Sequence, residues 1–304
     1  MSDAAATDRG SLVVRGRALP LGQRTYIMGI VNVTPDSFSG DGLLAGSTDG
    51  QAIAAAVAQA ERMVAAGADI LDVGGESTRP GHEPVDADAE LVRVVGVIAA
   101  IRAALPGTPI SVDTSKPAVA EAGLAAGADI LNDVAAVTAD AALAPVAAAH
   151  DAPYILMHSR AEPVYDDPVV EVVDDLRRAV AIATAAGCER ASLIVDPGIG
   201  FGKTAEQNLL ILGGLAALRD LGAAVLLGTS RKSTIGKVLS LPVDERMEGT
   251  LATTALGVAA GVDIIRVHDV AENVRAARMA DAIIRGGWQD AEERVPDGTR
   301  RCER

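Results

Sequence analysis

The sequence predicts a single (β/α)8 barrel, and three observations carry the prediction. Short apolar, β-branched runs alternate with Ala-rich amphipathic stretches, the pattern of repeated βα units on a parallel sheet. There are about eight such runs, the number that closes a barrel of this class. Residues 67–71 and 127–131 both read GADIL, and 261–265 read the related GVDII. In each copy of this echo a glycine suits the end of a helix and the apolar pair suits the start of a buried strand.

In chain order, residues 1–10 are expected to form a flexible N-terminus, and Ser11 to Gln23 a small hairpin with its turn near Arg17 to Gly22, placed to plug the N-terminal end of the barrel. The strands are assigned to Tyr26–Thr34, Asp69–Glu76, Ile110–Thr114, Asp129–Asp133, Tyr154–His158, Leu193–Asp196, Val225–Thr229 and Asp263–His268. Helices between them include Gln51–Ala66, Lys116–Ala126, Pro168–Ala186, Thr204–Leu221 and Ala271–Arg285. One barrel domain is expected over residues 11–288, with 289–304, charged and aperiodic, as a disordered tail.

A chain of 304 residues fits one barrel core of roughly 250 residues with additions. Hydrophobic residues make up 49% of it but aromatics only 2%, so the core is built from Ala, Val, Leu and Ile. Cys188 and Cys302 are too few for a disulfide framework or a cysteine metal site, which points to a reducing compartment. The first ten residues lack a basic start followed by an apolar run, and no stretch reaches the ~18 apolar residues of a membrane span. A cytoplasmic location without a membrane partner is therefore expected. The net charge of −14 argues against nucleic acid as a partner, and an anionic small substrate would need cations concentrated at one point.

Barrel enzymes place their chemistry at the C-terminal strand ends, and here those ends are polar. The first strand runs into Asn32-Val-Thr-Pro-Asp36-Ser-Phe38 and a Gly-rich loop from Gly40 to Gly46, long enough to act as a lid. The second ends in Gly74-Gly-Glu-Ser-Thr78-Arg79-Pro-Gly81, the third in Asp113-Thr-Ser, the fourth in Asn132-Asp133. The sixth supplies Asp196-Pro-Gly-Ile-Gly-Phe201-Gly-Lys203, the seventh Gly228-Thr-Ser230-Arg-Lys232-Ser233, the eighth Arg266-Val-His268-Asp269. By chemistry these residues divide into two groups. Asp113, Asn132 and Asp196 offer acceptors and one amide, suited to a flat heterocycle bearing amino groups and ring N–H. Asn32, Arg266 and His268 offer donors and a candidate metal ligand, suited to an anionic leaving group.

The motifs NVTPDSF, GGESTRPG, SVDTSKP, NDV, DPGIGFGKT, GTSRKS and RVHD, in this order and spacing from about Tyr26 to Asp269, resemble the dihydropteroate synthase family of pterin-binding barrels in the folate pathway. The resemblance implies that 4-aminobenzoate displaces diphosphate from (7,8-dihydropterin-6-yl)methyl diphosphate by a dissociative route. It further implies that Asp113, Asn132, Asp196 and Lys232 bind the pterin, with Met157, Gly228 and Phe201 lining its slot. Asn32, Arg266 and His268 would take the diphosphate, with Mg2+ bridging Asn32 to it. Asp36 would shield the developing cation, and Phe38, Thr78, Arg79, Ser230 and Lys232 would shape the aminobenzoate pocket. Asp36, Lys232, Arg266 and His268 form the implied catalytic set, and a homodimer, packing through its last helices, is implied as well.

Plainer readings stand beside these. Asp113 taken alone reads equally well as a helix cap. The glycines at 198, 200 and 202 are read as a tight turn. His158 is read as a core histidine with a satisfied partner, His82 and His150 as surface residues, and Lys203 as a solvated charge. The chain departs from the family pattern at Ser39-Gly-Asp-Gly42, at His158-Ser-Arg-Ala-Glu162 and at Thr234. These positions lie in or near the loops that would meet aminobenzoate, so they bear on amine affinity and sulfonamide response. Two other functions compete: a pterin-dependent methyltransferase, which has no need of an anion site, and a catalytically silent pterin-binding relative, against which Asp36, Lys232 and Arg266 argue.

Overall fold

The computed structural model describes residues 9–33, 49–76 and 86–286. A hairpin of β1 (Ser11–Val14) and β2 (Arg17–Pro20) precedes eight parallel strands that close in the order β10-β3-β4-β5-β6-β7-β8-β9. They are β3 (Tyr26–Asn32), β4 (Ile70–Gly74), β5 (Ile110–Asp113), β6 (Ile130–Asp133), β7 (Tyr154–Met157), β8 (Leu193–Asp196), β9 (Ala224–Leu227) and β10 (Ile264–Val267). Around them lie α1 (Asp49–Ala65), α2 (Ala87–Ala104), α3 (Pro117–Ala125), α4 (Ala144–Ala149), α5 (Pro168–Ala185), α6 (Ala205–Gly213), α7 (Ser233–Leu239), α8 (Met247–Ala259) and α9 (Val270–Ile284). This is the (β/α)8 barrel with an N-terminal hairpin that the sequence predicts. Among the described residues no helix is long and apolar enough to cross a membrane.

Three local assignments change. The hairpin turns at Arg15-Gly16, ahead of the expected Arg17 to Gly22. Both residues have positive φ, +52° and +69°, as the two-residue turn that matches strand twist requires. Most predicted strands overshoot by a residue or two, because the polar residues past each end leave the ladder. The helix expected over Thr204–Leu221 stops at Gly213 and continues as a 3-10 segment, Leu215–Leu221; at the break Gly214 admits Val169 of α5 so closely that a Cβ would lie 2.7 Å from Val169 Cγ1.

Strand alternation sorts the side chains into two compartments. Leu71, Val73, Val112, Leu131, Tyr154, Leu156, Val195, Val225, Leu227 and Ile265 face the helices. Inside the barrel, Tyr26, Met28, Ile70, Ile130, Ile155, Ile194, Leu226 and Ile264 form an apolar layer with Leu12, Val14, Leu19 and Leu21 of the hairpin, which therefore plugs the N-terminal end as expected. One alternation step further along, the interior positions become Asp72, Asp113, Asn132, Asp196 and Arg266. The fold delivers polar groups to one level of the barrel because apolar ones fill the level below.

The internal echo has a physical meaning at the opposite end. Asp69, Asp129 and Asp263 each precede a strand, and each carboxylate accepts a backbone N–H from the adjoining strand: Ile27 at 2.9 Å, Ile110 at 2.8 Å and Val225 at 2.9 Å. An arginine neutralises each one: Arg24 on Asp69, Arg102 and Arg15 on Asp129, Arg9 on Asp263. The order therefore reaches back to Arg9, within the stretch expected to be a flexible terminus. Asp263 is wholly buried while Arg24 is 46% exposed, so the pairs differ in value. Asp263→Ala is expected to cost about 3–5 kcal/mol, since it strands a buried N–H and a guanidinium; Arg24→Ala should cost about 1 kcal/mol. Urea denaturation of the two variants measures the difference.

Candidate active site

Four of the interior polar residues make a connected cluster. Arg266 of β10 donates through Nε to Asp72 Oδ2 at 2.6 Å and through Nη2 to Asp113 Oδ2 at 2.7 Å. Asn132 of β6 donates through Nδ2 to the two oxygens of Asp72 at 3.4 and 3.2 Å. Asp72 is fully buried, and Asp113 Oδ1 is buried without a hydrogen-bond partner among the described residues. Burial, with the like charge of Asp72 beside it, pushes the Asp113 carboxyl well above the ordinary range, and Arg266 opposes this. Burial lowers the affinity of Arg266 for its proton, but the carboxylates of Asp72 and Asp113 more than compensate, so it stays charged. Asp113 caps no helix, since the N-cap of α3 is Lys116. The two groups inferred from chemistry are thus not separate in space: Arg266 of one donates to Asp113 of the other. Asp72 was missed altogether, though a lone acid inside the apolar run Ile70–Gly74 was its signal.

Asp196, at the end of β8, is held by the loop that follows it. Its Oδ1 accepts the Gly198 N–H at 2.7 Å, and burial raises its pKa against that bond and against the charges of Lys232 and Arg266. A Cβ on Gly198 would stand 1.8 Å from the His158 carbonyl oxygen, and one on Gly202 1.9 Å from that of Arg160, so the backbone of this loop lies directly against the end of β7. Lys203 fastens it there. Its Nζ reaches His158 Nδ1 at 2.9 Å and donates to the carbonyls of Gly198 and Phe201, both at 3.0 Å. The expectation of a solvated charge at Lys203 is therefore overturned, because the turn aims its carbonyls at the ammonium; burial pulls the Lys203 pKa down to about 7. His158 is the core histidine expected: it is buried, and its Nε2 donates to Asp175 Oδ2 at 3.1 Å. His150 lies at the surface on Glu121. From the far end of the loop the Phe201 ring meets Lys232 Nζ 4.1 Å from its centroid.

The remaining predicted residues fall around this cluster. Ser230 Oγ and His268 Nδ1 are 2.9 Å apart, and next to them Arg231, with φ +57°, is paired to Asp269. Gly228 has its Cα beside Asp196 and Arg266. Met157 is buried beside Asp196 in the ladder, and Asn32 ends β3 half-buried, opposite Gly74. Asp36, Phe38, Thr78, Arg79 and His82, and the departure at Ser39–Gly42, lie outside the described residues. At the end of the described part of the second motif, Lys116 bridges Glu76 and the buried Glu90; Glu76 and Lys116 belong to GGESTRPG and SVDTSKP, but neither was given a role.

Burial, and next the charge of Lys203, hold the His158 pKa at about 4, below its ordinary 6.5. Between those values the unfolded chain binds a proton that the folded one refuses. The stability His158 contributes is then complete above about pH 6.5 and is lost as the pH falls toward about 4. The stability gap between the wild type and His158→Gln should shrink from pH 7.5 to pH 4.5 in denaturant titrations.

Comparison with known proteins agrees with this geometry. Residues 28–268 match the family model described as pterin binding enzyme. A dihydropteroate synthase from Clostridium beijerinckii is 48% identical over 266 residues, spanning 87% of this chain and 96% of the relative. The structure of Xanthomonas albilineans dihydropteroate synthase with 4-aminobenzoic acid superposes with a TM-score of 0.83 at 41% identity, covering 91% of this chain and 98% of that one. The same enzyme in complex with 7,8-dihydropteroate gives 0.80 at 40% identity, covering 90% and 98%. Polar residues gathered at one level of the barrel, from Asp113 round to Arg266, and a match across 28–268 lead to one assignment: the chain belongs to the pterin binding enzyme family.

Proposed function

We propose that this chain is a dihydropteroate synthase, joining (7,8-dihydropterin-6-yl)methyl diphosphate to 4-aminobenzoate to give 7,8-dihydropteroate and diphosphate. The observation that carries the proposal is the buried Asp113, Asn132 and Asp196 with the half-buried Arg266 on the barrel axis, in a chain whose relatives hold dihydropteroate and 4-aminobenzoic acid. Carboxylates and an amide in a dry site suit the amino and ring N–H groups of a pterin. Lys232 over Phe201 and the loop fastened by Lys203 close the slot from the side of β8 and β9.

In the proposed reaction the bond from the exocyclic methylene to the diphosphate oxygen breaks, and its electron pair leaves with the diphosphate. The cation that remains is conjugated with the pterin, and the amine of 4-aminobenzoate forms the new C–N bond and releases a proton to solvent. Arg266 and His268 would neutralise the departing oxygens, while Asp36 would shield the cation and Thr78, Arg79, Ser230 and Lys232 would receive the amine substrate. Asn32 ends β3 at the rim and offers one hard amide oxygen. Mg2+ favours hard oxygen ligands, and Asn32 would hold it. Mg2+ held this way would stabilise negative charge on the leaving group.

Two further parts of the proposal have separate supports. Leu256 of α8 and Met279, Ile283 and Ile284 of α9 are exposed on helices that pack together, which favours a homodimer through the last helices. The scarcity of cysteine favours a cytoplasmic location.

The deciding assay is diphosphate release from the purified protein given the pterin diphosphate and Mg2+, with and without 4-aminobenzoate, with dihydropteroate followed by chromatography. Amine-dependent product is expected; tight pterin binding with neither product would leave the silent relative. His268→Ala should weaken the pterin diphosphate about tenfold and a free pterin hardly at all. Arg266→Ala should weaken both, because it also leaves Asp72 and Asp113 facing each other uncompensated. Titration calorimetry with the two ligands separates these outcomes.

A further inference from the structure

Asp72 differs from the three acids that immediately precede strands of this barrel. Asp69, Asp129 and Asp263 accept backbone N–H groups and so hold the wall together. The Asp72 carboxylate, fully buried, has its hydrogen bonds with two side chains, Asn132 and Arg266. An apolar residue would serve this level of the barrel as well as Ile70 serves the one below, and without the cost of desolvating a charge. The bonds it makes explain what it does. An ionised carboxylate only accepts, so Asn132 must turn its Nδ2 toward Asp72 and its Oδ1 away from it. The same carboxylate holds the guanidinium of Arg266 by Nε and lies 2.6 Å from Nη2, which also donates to Asp113.

We propose that Asp72 is a positioning residue of the pterin subsite, setting the amide sense of Asn132 and the plane of Arg266 so that the ring meets preset acceptors. This rests on the reading of the site as a pterin pocket. The ring then spends no free energy choosing between amide orientations or immobilising a long cation. Asp72 also acts on Asp113 through space. Asp113 is faced by Asp72 from β4, Arg266 from β10, Glu90 from α2 and Asp133 from β6. Neutralising Asp72 removes one of the like charges that keep the Asp113 carboxyl high.

The test compares the wild type with Asp72→Asn, which keeps the shape, and Asp72→Val, which suits an apolar barrel layer. The probe is 6-hydroxymethylpterin, titrated calorimetrically from pH 6 to 9.5, alongside thermal melts and KM values for both substrates. In both variants pterin affinity should fall about tenfold and KM for the pterin diphosphate should rise, with KM for 4-aminobenzoate changing less than about twofold. The pH midpoint of pterin binding should move to the acid side. Pterin affinity and pH profile unchanged in whichever variant folds would overturn the proposal and reduce Asp72 to packing. A wild type that binds no pterin would overturn the synthase reading and this inference with it, so the two failures are told apart by the wild type alone.

Discussion

Arg266 lies half-buried between Asp72 and Asp113, and the polar layer of the barrel is organised around that contact. Three carboxylates, Asp72, Asp113 and Asp196, occupy one level of a closed apolar cylinder, an arrangement that self-repulsion and desolvation would both oppose. A single guanidinium from β10 reaches two of them and electrostatically favours the third. Because Arg is charged at every physiological pH, Arg266 stays a fixed cation while burial raises the carboxyls of Asp113 and Asp196. Functional polarity is therefore concentrated where the structure is least able to tolerate the loss of one partner.

The fold was legible because the physics that sets it is local and repeated. Alternation in the short strands, glycine at helix ends and the GADIL echo all report on neighbours close in sequence. The echo carried more than was drawn from it, since its aspartates bind the adjoining strands and recruit arginines. The site was legible in part, through polar residues just past the strands. Asp72 escaped because it sits inside a strand, and its role depends on Arg266, 194 residues away. Lys203 was misjudged for a different reason: three of its partners are main-chain carbonyls, which no pattern of side chains reveals.

The loop from Asp196 to Lys203 shows how position is enforced without secondary structure. Gly198 and Gly202 bring backbone against backbone, and one ammonium ties the resulting ring of carbonyls to His158. The carbonyl of Phe201, whose ring lies under Lys232, is part of that tie. His158 in turn is anchored to Asp175 of α5, which Arg160 also holds. The mouth of the barrel is thus braced from the helical layer outside it.

The hairpin that closes the other end gives the barrel a direction. Among the described residues, Leu12, Val14, Leu19 and Leu21 pack under the apolar layer of the strands and stop that end of the cylinder. A ligand that meets the polar layer then approaches from the C-terminal ends of the strands, and the water it displaces leaves on that side.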